Sequence, residues 1–341
     1  MRGYDNRLRF EAVTESEPGR AWLGVFQRHW GAYKSWFLSE GEGRRASYLH
    51  SRKMLRKYMP ELIPTYERLV DLAGGTDLAA RFLALYRPPA YISGCSQAVW
   101  IDDQQPVLIR NYDYSPKLCE GTLMYTRWNG RGVIAMGDCL WGVLDGINDA
   151  GLAVSLSFGG RRVVGDGFGV PVILRYVLEF CDTADEAANV LKWIPTHMSY
   201  NVTVLDRSGR FRTVFLSPDR PPVVRQVPVA TNHQGHVEWR EHAEATASLQ
   251  RERFLFTRLA DSEESVSGFI QSFLADPLYS NAYSKGFGTV YTAVYRPQRG
   301  EMELLWPDTA WQQSFEKFEQ RTHLIRYQPV TDHHSSRSRA G

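Results

Sequence analysis

The hydrophobic period of this chain changes once, at Pro88-Pro89, and that change restricts the fold more than any other feature. Before it, apolar residues recur every three or four positions. Trp22, Phe26, Trp30, Tyr33 and Phe37 make one aromatic stripe within residues 20–37, the signature of a packed helix. Further helical stretches are predicted at 46–58, 61–73 and 77–86, with Gly74-Gly75 separating the last two. The two prolines then end the helical region.

From Tyr91 onward the period is two. Short runs rich in Val, Ile, Tyr and Phe occupy 96–101, 106–112, 122–128, 132–136 and 151–158, divided by Gly, Asp, Asn and Pro as in successive hairpins. Two helices follow. Pro171 opens the first, which runs to Cys181, and Thr183 with Glu186 forms a capping box for the second, ending near Ile194. Strands return at 199–206, 211–216 and 222–230. Helices are expected at 246–260 and 263–274, then a hairpin at 289–296 and 301–306. The tail 331–341 is polar and reads as disordered. This order lacks the strict strand–helix alternation of a parallel sheet and fits antiparallel sheets covered by helices.

Composition excludes several functions. Hydrophobic residues at 43% and charged residues at 23% describe a globular chain. A net charge of +2 provides no basic field for nucleic acid. No apolar run approaches the roughly 18 residues of a membrane span, and Met1–Asp5 lacks the apolar stretch of a signal peptide. Four cysteines, none in a C-x-x-C pair, do not make a disulfide scaffold. The expectation is a reduced, cytoplasmic, soluble protein. Its 10 tryptophans suggest a deep core or an apolar pocket.

One stretch could carry chemistry. Cys95 follows Gly94 at the start of the first strand, and Arg110-Asn111-Tyr112-Asp113 ends the second. In a hairpin those ends lie together, so Arg110 and Asp113 could meet the thiol. A neighbouring arginine favours the thiolate, which is the nucleophile. A buried, inert cysteine and a plain Arg110–Asp113 ion pair fit the same spacing.

The pattern resembles the N-terminal nucleophile (Ntn) hydrolases of the penicillin acyltransferase type, relatives of the bile-salt and penicillin V amidases. Several segments carry the likeness in chain order. After Gly94-Cys95 and Arg110-Asn-Tyr-Asp113 comes Asp145-Gly-Ile-Asn148 with Gly151-Leu152, similar to a D-G-x-N-x-x-G-L hairpin. Residues 171–187 resemble a paired-helix segment, and Asn201–Asp206 with Gly209 a core strand and turn. Thr231-Asn232-His233 resembles the segment that brings an oxyanion asparagine. Ser248, Arg251 and Arg253 resemble the start of a late helix, and Thr289–Tyr295 with Pro297 and Gly300 a closing hairpin. Two departures stand out. Ser157 occupies the region where the family often has a second oxyanion asparagine, and Ser96 replaces a common Thr.

The resemblance implies an α+β fold, a four-layer αββα sandwich of two packed antiparallel sheets. It implies a helical pro-segment, 1–94, that becomes an α-subunit and stays associated with a catalytic β-subunit, 95–330. It further implies self-cleavage of the Gly94–Cys95 bond, after which the freed α-amine of Cys95 is the general base. Cys95 would be the nucleophile, Asn232 the oxyanion donor, Asp113 the residue orienting the amine, and Arg110 the group beside the thiol or acyl chain. Ser157, Asn148, Arg251 and Arg253 are auxiliary candidates. The substrate would be a small amide or acyl compound, with no cofactor, metal, nucleic acid or membrane.

Three rival readings stay open on the sequence. His233, His236 and His242 could form a metal site. The chain could be a non-catalytic binding protein. It could also be an uncut thiol enzyme with His233 as base.

Overall fold

The computed structural model describes residues 7–101 and 105–327, so the tail 331–341 lies outside the described residues. The chain opens with strand β1 (Arg7–Glu15) and continues through helices α1 (Arg20–Phe37), α2 (Tyr48–Tyr58), α3 (Ile63–Leu72) and α4 (Asp77–Leu83). Hydroxyl caps start two of these: Ser47 accepts from the His50 N–H, and Thr76 from the Ala79 N–H. Strands β2 (Gly94–Trp100), β3 (Val107–Tyr114), β4 (Thr122–Thr126), β5 (Val133–Asp138), β6 (Gly142–Asn148) and β7 (Leu152–Phe158) follow. Next come α5 (Val170–Phe180) and α6 (Ala184–Trp193), the latter with the capping box read from Thr183 and Glu186. Then β8 (Tyr200–Asp206), β9 (Phe211–Leu216), β10 (Val223–Arg225) and β11 (Val229–Ala230) precede α7 (Arg240–Ala245), α8 (Ser248–Leu259) and α9 (Val266–Ser272). The described chain closes with β12 (Gly288–Arg296), β13 (Glu301–Trp306), β14 (Thr309–Ser314) and β15 (Thr322–Arg326).

The strands make two sheets. The larger runs β10-β9-β8-β7-β6-β5-β4-β1-β15 and the smaller β11-β2-β3-β12-β13-β14. Pairing is antiparallel except where β1 lies parallel to β4, with Glu11 opposite Thr122. Three apolar cores separate the layers. The middle one, between the sheets, includes Cys95, Leu108, Leu144, Ala153 and Tyr291. A second, on the far face of the large sheet, joins α5 and α6 to α1–α4 through residues such as Val177, Leu191, Trp22 and Phe82. The third lies under α8 and α9, where Leu255, Phe269 and Phe273 meet Ala98 and Ile109. This is the expected αββα order of layers.

The structure departs from the sequence reading at several elements. Residues 222–230 are not one strand. Pro228 has no N–H for a ladder, and the chain leaves the large sheet after β10 to join the small one as β11. The helix expected at 246–260 stands as α8, and a short helix with no prediction, α7, precedes it, the two separated by Ala247, left-handed at φ 50°. The first 94 residues are not wholly helical, since β1 is an interior strand of the large sheet. Strands β14 and β15 also carry no prediction. The N-terminal segment is bound into the rest by two indoles. Trp22 Nε1 donates to the Leu140 carbonyl at 3.1 Å, and Trp141 Nε1 to that of Leu83 at 2.8 Å.

Candidate active site

Cys95 is the second residue of β2, opposite Tyr112 of β3, and has no exposed surface. Strand alternation sends Cys95, Gln97 and Val99 to the inner face and Ser96 and Ala98 to the outer one. The site is therefore built from both sides of one strand.

On the inner side, Arg110 Nη2 lies 3.3 Å from Cys95 Sγ. The other guanidinium nitrogen pairs with Asp145 of β6 and donates to the Leu144 carbonyl at 3.2 Å. Asp145 also accepts from the Tyr291 hydroxyl at 2.7 Å and from that of Tyr295. Arg110 and Asp145 are both completely enclosed. Such a pair needs its remaining lone pairs satisfied to offset desolvation, and the two tyrosines do that for Asp145. Enclosure alone would lower the pKa of the Arg110 guanidinium. The sulfur, Asp145 and Tyr291 outweigh it and hold that pKa well above the ordinary value.

On the outer side, Arg251 of α8 bridges three groups. Its Nη1 donates to the Cys95 carbonyl at 2.6 Å and to Ser96 Oγ at 2.7 Å, and its Nη2 to Asn232 Oδ1 at 2.7 Å. Asn232 follows β11, so the crossing of the chain at Pro228 delivers it. Its Oδ1 also accepts the Cys95 N–H at 3.1 Å, while its Nδ2 donates to the Ser93 carbonyl at 3.4 Å and the Phe158 carbonyl at 3.1 Å. The Asn232 amide thus spans the backbone from residue 93 to 95. Gly160 makes room for it. At φ 70°, a Cβ there would stand 2.1 Å from the Asn232 carbonyl oxygen.

Asp113 lies opposite Gly94 in the ladder. Its Oδ1 accepts from Thr289 Oγ1 at 2.7 Å, and its Oδ2 is 3.6 Å from Arg251 Nη1. Burial raises its pKa, and Arg251, Thr289 and Arg110 act against that rise. The Arg110–Asp113 ion pair allowed by the sequence is replaced by two pairs, Arg110–Asp145 and Arg251–Asp113. The cause is strand geometry: an odd separation of three places the two side chains on opposite faces. Gly94 is tightly enclosed, since a Cβ would come within 2.8 Å of the Phe287 ring and 3.2 Å of Asp113 Cβ.

The auxiliary candidates separate. Arg251 is at the site, whereas Arg253 is exposed on the far side of α8. Ser157 donates to the Thr231 carbonyl at 2.6 Å and accepts from Asn201 Nδ2 at 3.2 Å, so its proton is committed to holding the Asn232 segment. Asn148 ties its hairpin to α5, donating to the Leu178 and Cys181 carbonyls and accepting from the Leu152 N–H. His233 has both ring nitrogens engaged, with Ser248 Oγ at 2.9 Å and Glu252 at 3.2 Å. His236 faces Glu238, and His242 stacks on Trp239. Among the described residues no three His, Cys, Asp or Glu side chains group as metal ligands. No helix among them is long and apolar enough to cross a membrane.

Sequence reasoning missed Asp145 as the partner of Arg110, and with it Tyr291 and Tyr295. The spacing of four between those tyrosines, in a run of β period, was a usable signal. It places both hydroxyls on one face of β12.

A family model described as Acyl-coenzyme A:6-aminopenicillanic acid acyl-transferase matches residues 100–311, beginning just after Cys95. No curated protein matches the sequence significantly. Among solved structures, penicillin V acylase from Agrobacterium tumefaciens is similar at 15% identity and a TM-score of 0.46, over 65% of this chain and 87% of that one. The Caenorhabditis elegans ortholog of N-acylethanolamine-hydrolyzing acid amidase matches at 18% identity and 0.45, over 68% and 100%. A mutant conjugated bile acid hydrolase from Clostridium perfringens matches at 13% identity and 0.44, over 71% and 100%.

Proposed function

The chain belongs to the acyl-coenzyme A:6-aminopenicillanic acid acyl-transferase family, and from that premise we propose that it is a self-processing cysteine amidohydrolase or acyltransferase acting through Cys95. The observation that carries this reading is the meeting of Arg110, Asn232 and Arg251 around the Gly94–Cys95 peptide, with the Arg110 guanidinium 3.3 Å from the sulfur.

In maturation, Cys95 Sγ bonds to the Gly94 carbonyl carbon. The C–N bond breaks as the Cys95 nitrogen takes up the thiol proton. Water then hydrolyses the thioester, leaving a carboxylate on Gly94 and a free thiol and amine on Cys95. An α-amine has a pKa of about 7.7–8.0, suited to general base work near neutral pH. In the mature enzyme this amine takes the thiol proton as sulfur attacks a substrate amide, and returns it to the leaving amine. Arg110 meets the charge that develops on sulfur. Asn232 Nδ2, released from the Ser93 carbonyl once the segment ending at Gly94 moves away, stabilises the oxyanion, a role worth about 2.7–4 kcal/mol per donor. Asp113, anchored by Thr289 and Arg251, orients the new ammonium. Water as the acceptor gives hydrolysis, and another amine or thiol gives acyl transfer.

Intact mass and N-terminal sequencing of wild type beside Cys95→Ala test the proposal. Two pieces in the wild type, one beginning Cys-Ser-Gln-Ala, and one intact chain in the variant are expected. A single uncut chain in both would refute self-processing.

A further inference from the structure

The two residues before Gly94 are turned against their chemistry. Ile92, an apolar side chain, is 41% exposed, whereas Ser93 carries its hydroxyl inside and is 4% exposed. Enclosing a hydroxyl costs free energy unless a good partner offsets it. The partner of Ser93 Oγ is the Cys95 sulfur, 3.8 Å away, and sulfur is a weak hydrogen-bonding atom. The backbone fixes the two residues together. Asn232 Nδ2 holds the Ser93 carbonyl at 3.4 Å, and Asn232 Oδ1 holds the Cys95 N–H at 3.1 Å. A buried polar group with so little structural return marks a functional position.

Cleavage of the Gly94–Cys95 bond needs such a group. Before the cut the Cys95 nitrogen is an amide and is not basic, so the α-amine that activates the mature nucleophile does not yet exist. Among the described residues, two polar side-chain atoms hydrogen-bond with Cys95 Sγ: Arg110 Nη2 at 3.3 Å and Ser93 Oγ. A guanidinium only donates and takes no proton. Asp113 leaves β3 on the face opposite Arg110 and is engaged by Thr289 and Arg251. His233 is engaged by Ser248 and Glu252. Ser93 Oγ is left as the acceptor of the thiol proton.

We propose that Ser93 is a catalytic residue of self-cleavage alone, relaying the thiol proton to the Cys95 nitrogen. As Sγ bonds to the Gly94 carbonyl carbon, that nitrogen loses its amide conjugation and becomes basic. The thiol proton passes to Ser93 Oγ while the hydroxyl's own proton passes to the nitrogen, and the C–N bond then breaks. Ser93 ends as a neutral hydroxyl on the released segment, and the new α-amine replaces it as base. Maturation and turnover therefore use different bases on one sulfur. This rests on the reading of Cys95 as a self-processing nucleophile.

The test follows intact mass at intervals after cell-free synthesis of the full-length chain. Ser93→Ala should release the fragment beginning Cys-Ser-Gln-Ala at least about tenfold more slowly than wild type, a floor for a kind of group that contributes about 10²–10⁴-fold. Ser93→Thr and Ser93→Val share one shape and differ in the hydroxyl, so a packing role would slow both alike. Ser93→Thr should cleave at least about tenfold faster than Ser93→Val. A wild-type rate in Ser93→Ala, or equal rates in Ser93→Thr and Ser93→Val, would overturn the relay and leave self-processing standing. A wild-type chain that stays whole would overturn both.

Discussion

At the scale of single residues, the site depends on buried charges that are matched in pairs. Replacing Asp145 with Asn leaves Arg110 enclosed without a counter-charge, which should cost about 3–5 kcal/mol. Urea unfolding of uncut protein measures it, and a loss below about 1 kcal/mol would show that the two tyrosines suffice. Asp138 provides a pH test. Burial first, and Glu120 second, push its carboxyl up to about 7, whereas an unfolded Asp titrates near about 4. Between those values the folded chain holds a proton that the unfolded chain has lost. That stability is present in full below about pH 4 and disappears as pH rises through about 7. Asp138→Asn removes this titration and keeps an acceptor for Tyr33. Its melting temperature minus that of wild type should therefore climb from about pH 5 to about pH 8. A difference that stays flat would contradict the raised carboxyl.

At the scale of elements, local chemistry was legible where a pattern is local. The aromatic stripe of α1, the Thr183–Glu186 capping box and the Cys95 hairpin all stand where the sequence places them. Thr183→Ala should cost about 1 kcal/mol of stability, since it strips one helix N-terminus of its acceptor. Thermal unfolding checks this, and cleavage at Gly94 should be unchanged. What the sequence hid depends on partners far along the chain. β1 alternates well enough, with Phe10 and Ala12 buried, but nothing near it announces that it inserts beside β4. Asp145 stands in the sequence only as part of a hairpin likeness, and its role as the partner of Arg110 exists only once β6 and β3 face each other across the core. Helix α7 was invisible because it is only six residues long and has no side-chain cap to announce its start. Asn232 was found by likeness to a family. Its delivery by a chain that changes sheets was not.

At the scale of the whole molecule, residues 7–94 are built into the fold. They add an interior strand to one sheet and a set of helices over it, sharing an apolar core with α5 and α6. Once the Gly94–Cys95 bond is cut as proposed, the two pieces should co-elute in gel filtration and separate only in denaturant. Separation in native buffer would contradict the shared core. The position of β1 also has a consequence for the history of each molecule. While the chain is continuous, β1 finds its slot between β4 and β15 as an intramolecular event. After the cut, the same insertion becomes an encounter between two solutes, governed by their concentration. With the proposed cleavage, each molecule would fold once, before the cut. Thereafter its lifetime is set by how slowly it opens rather than by how readily it re-forms.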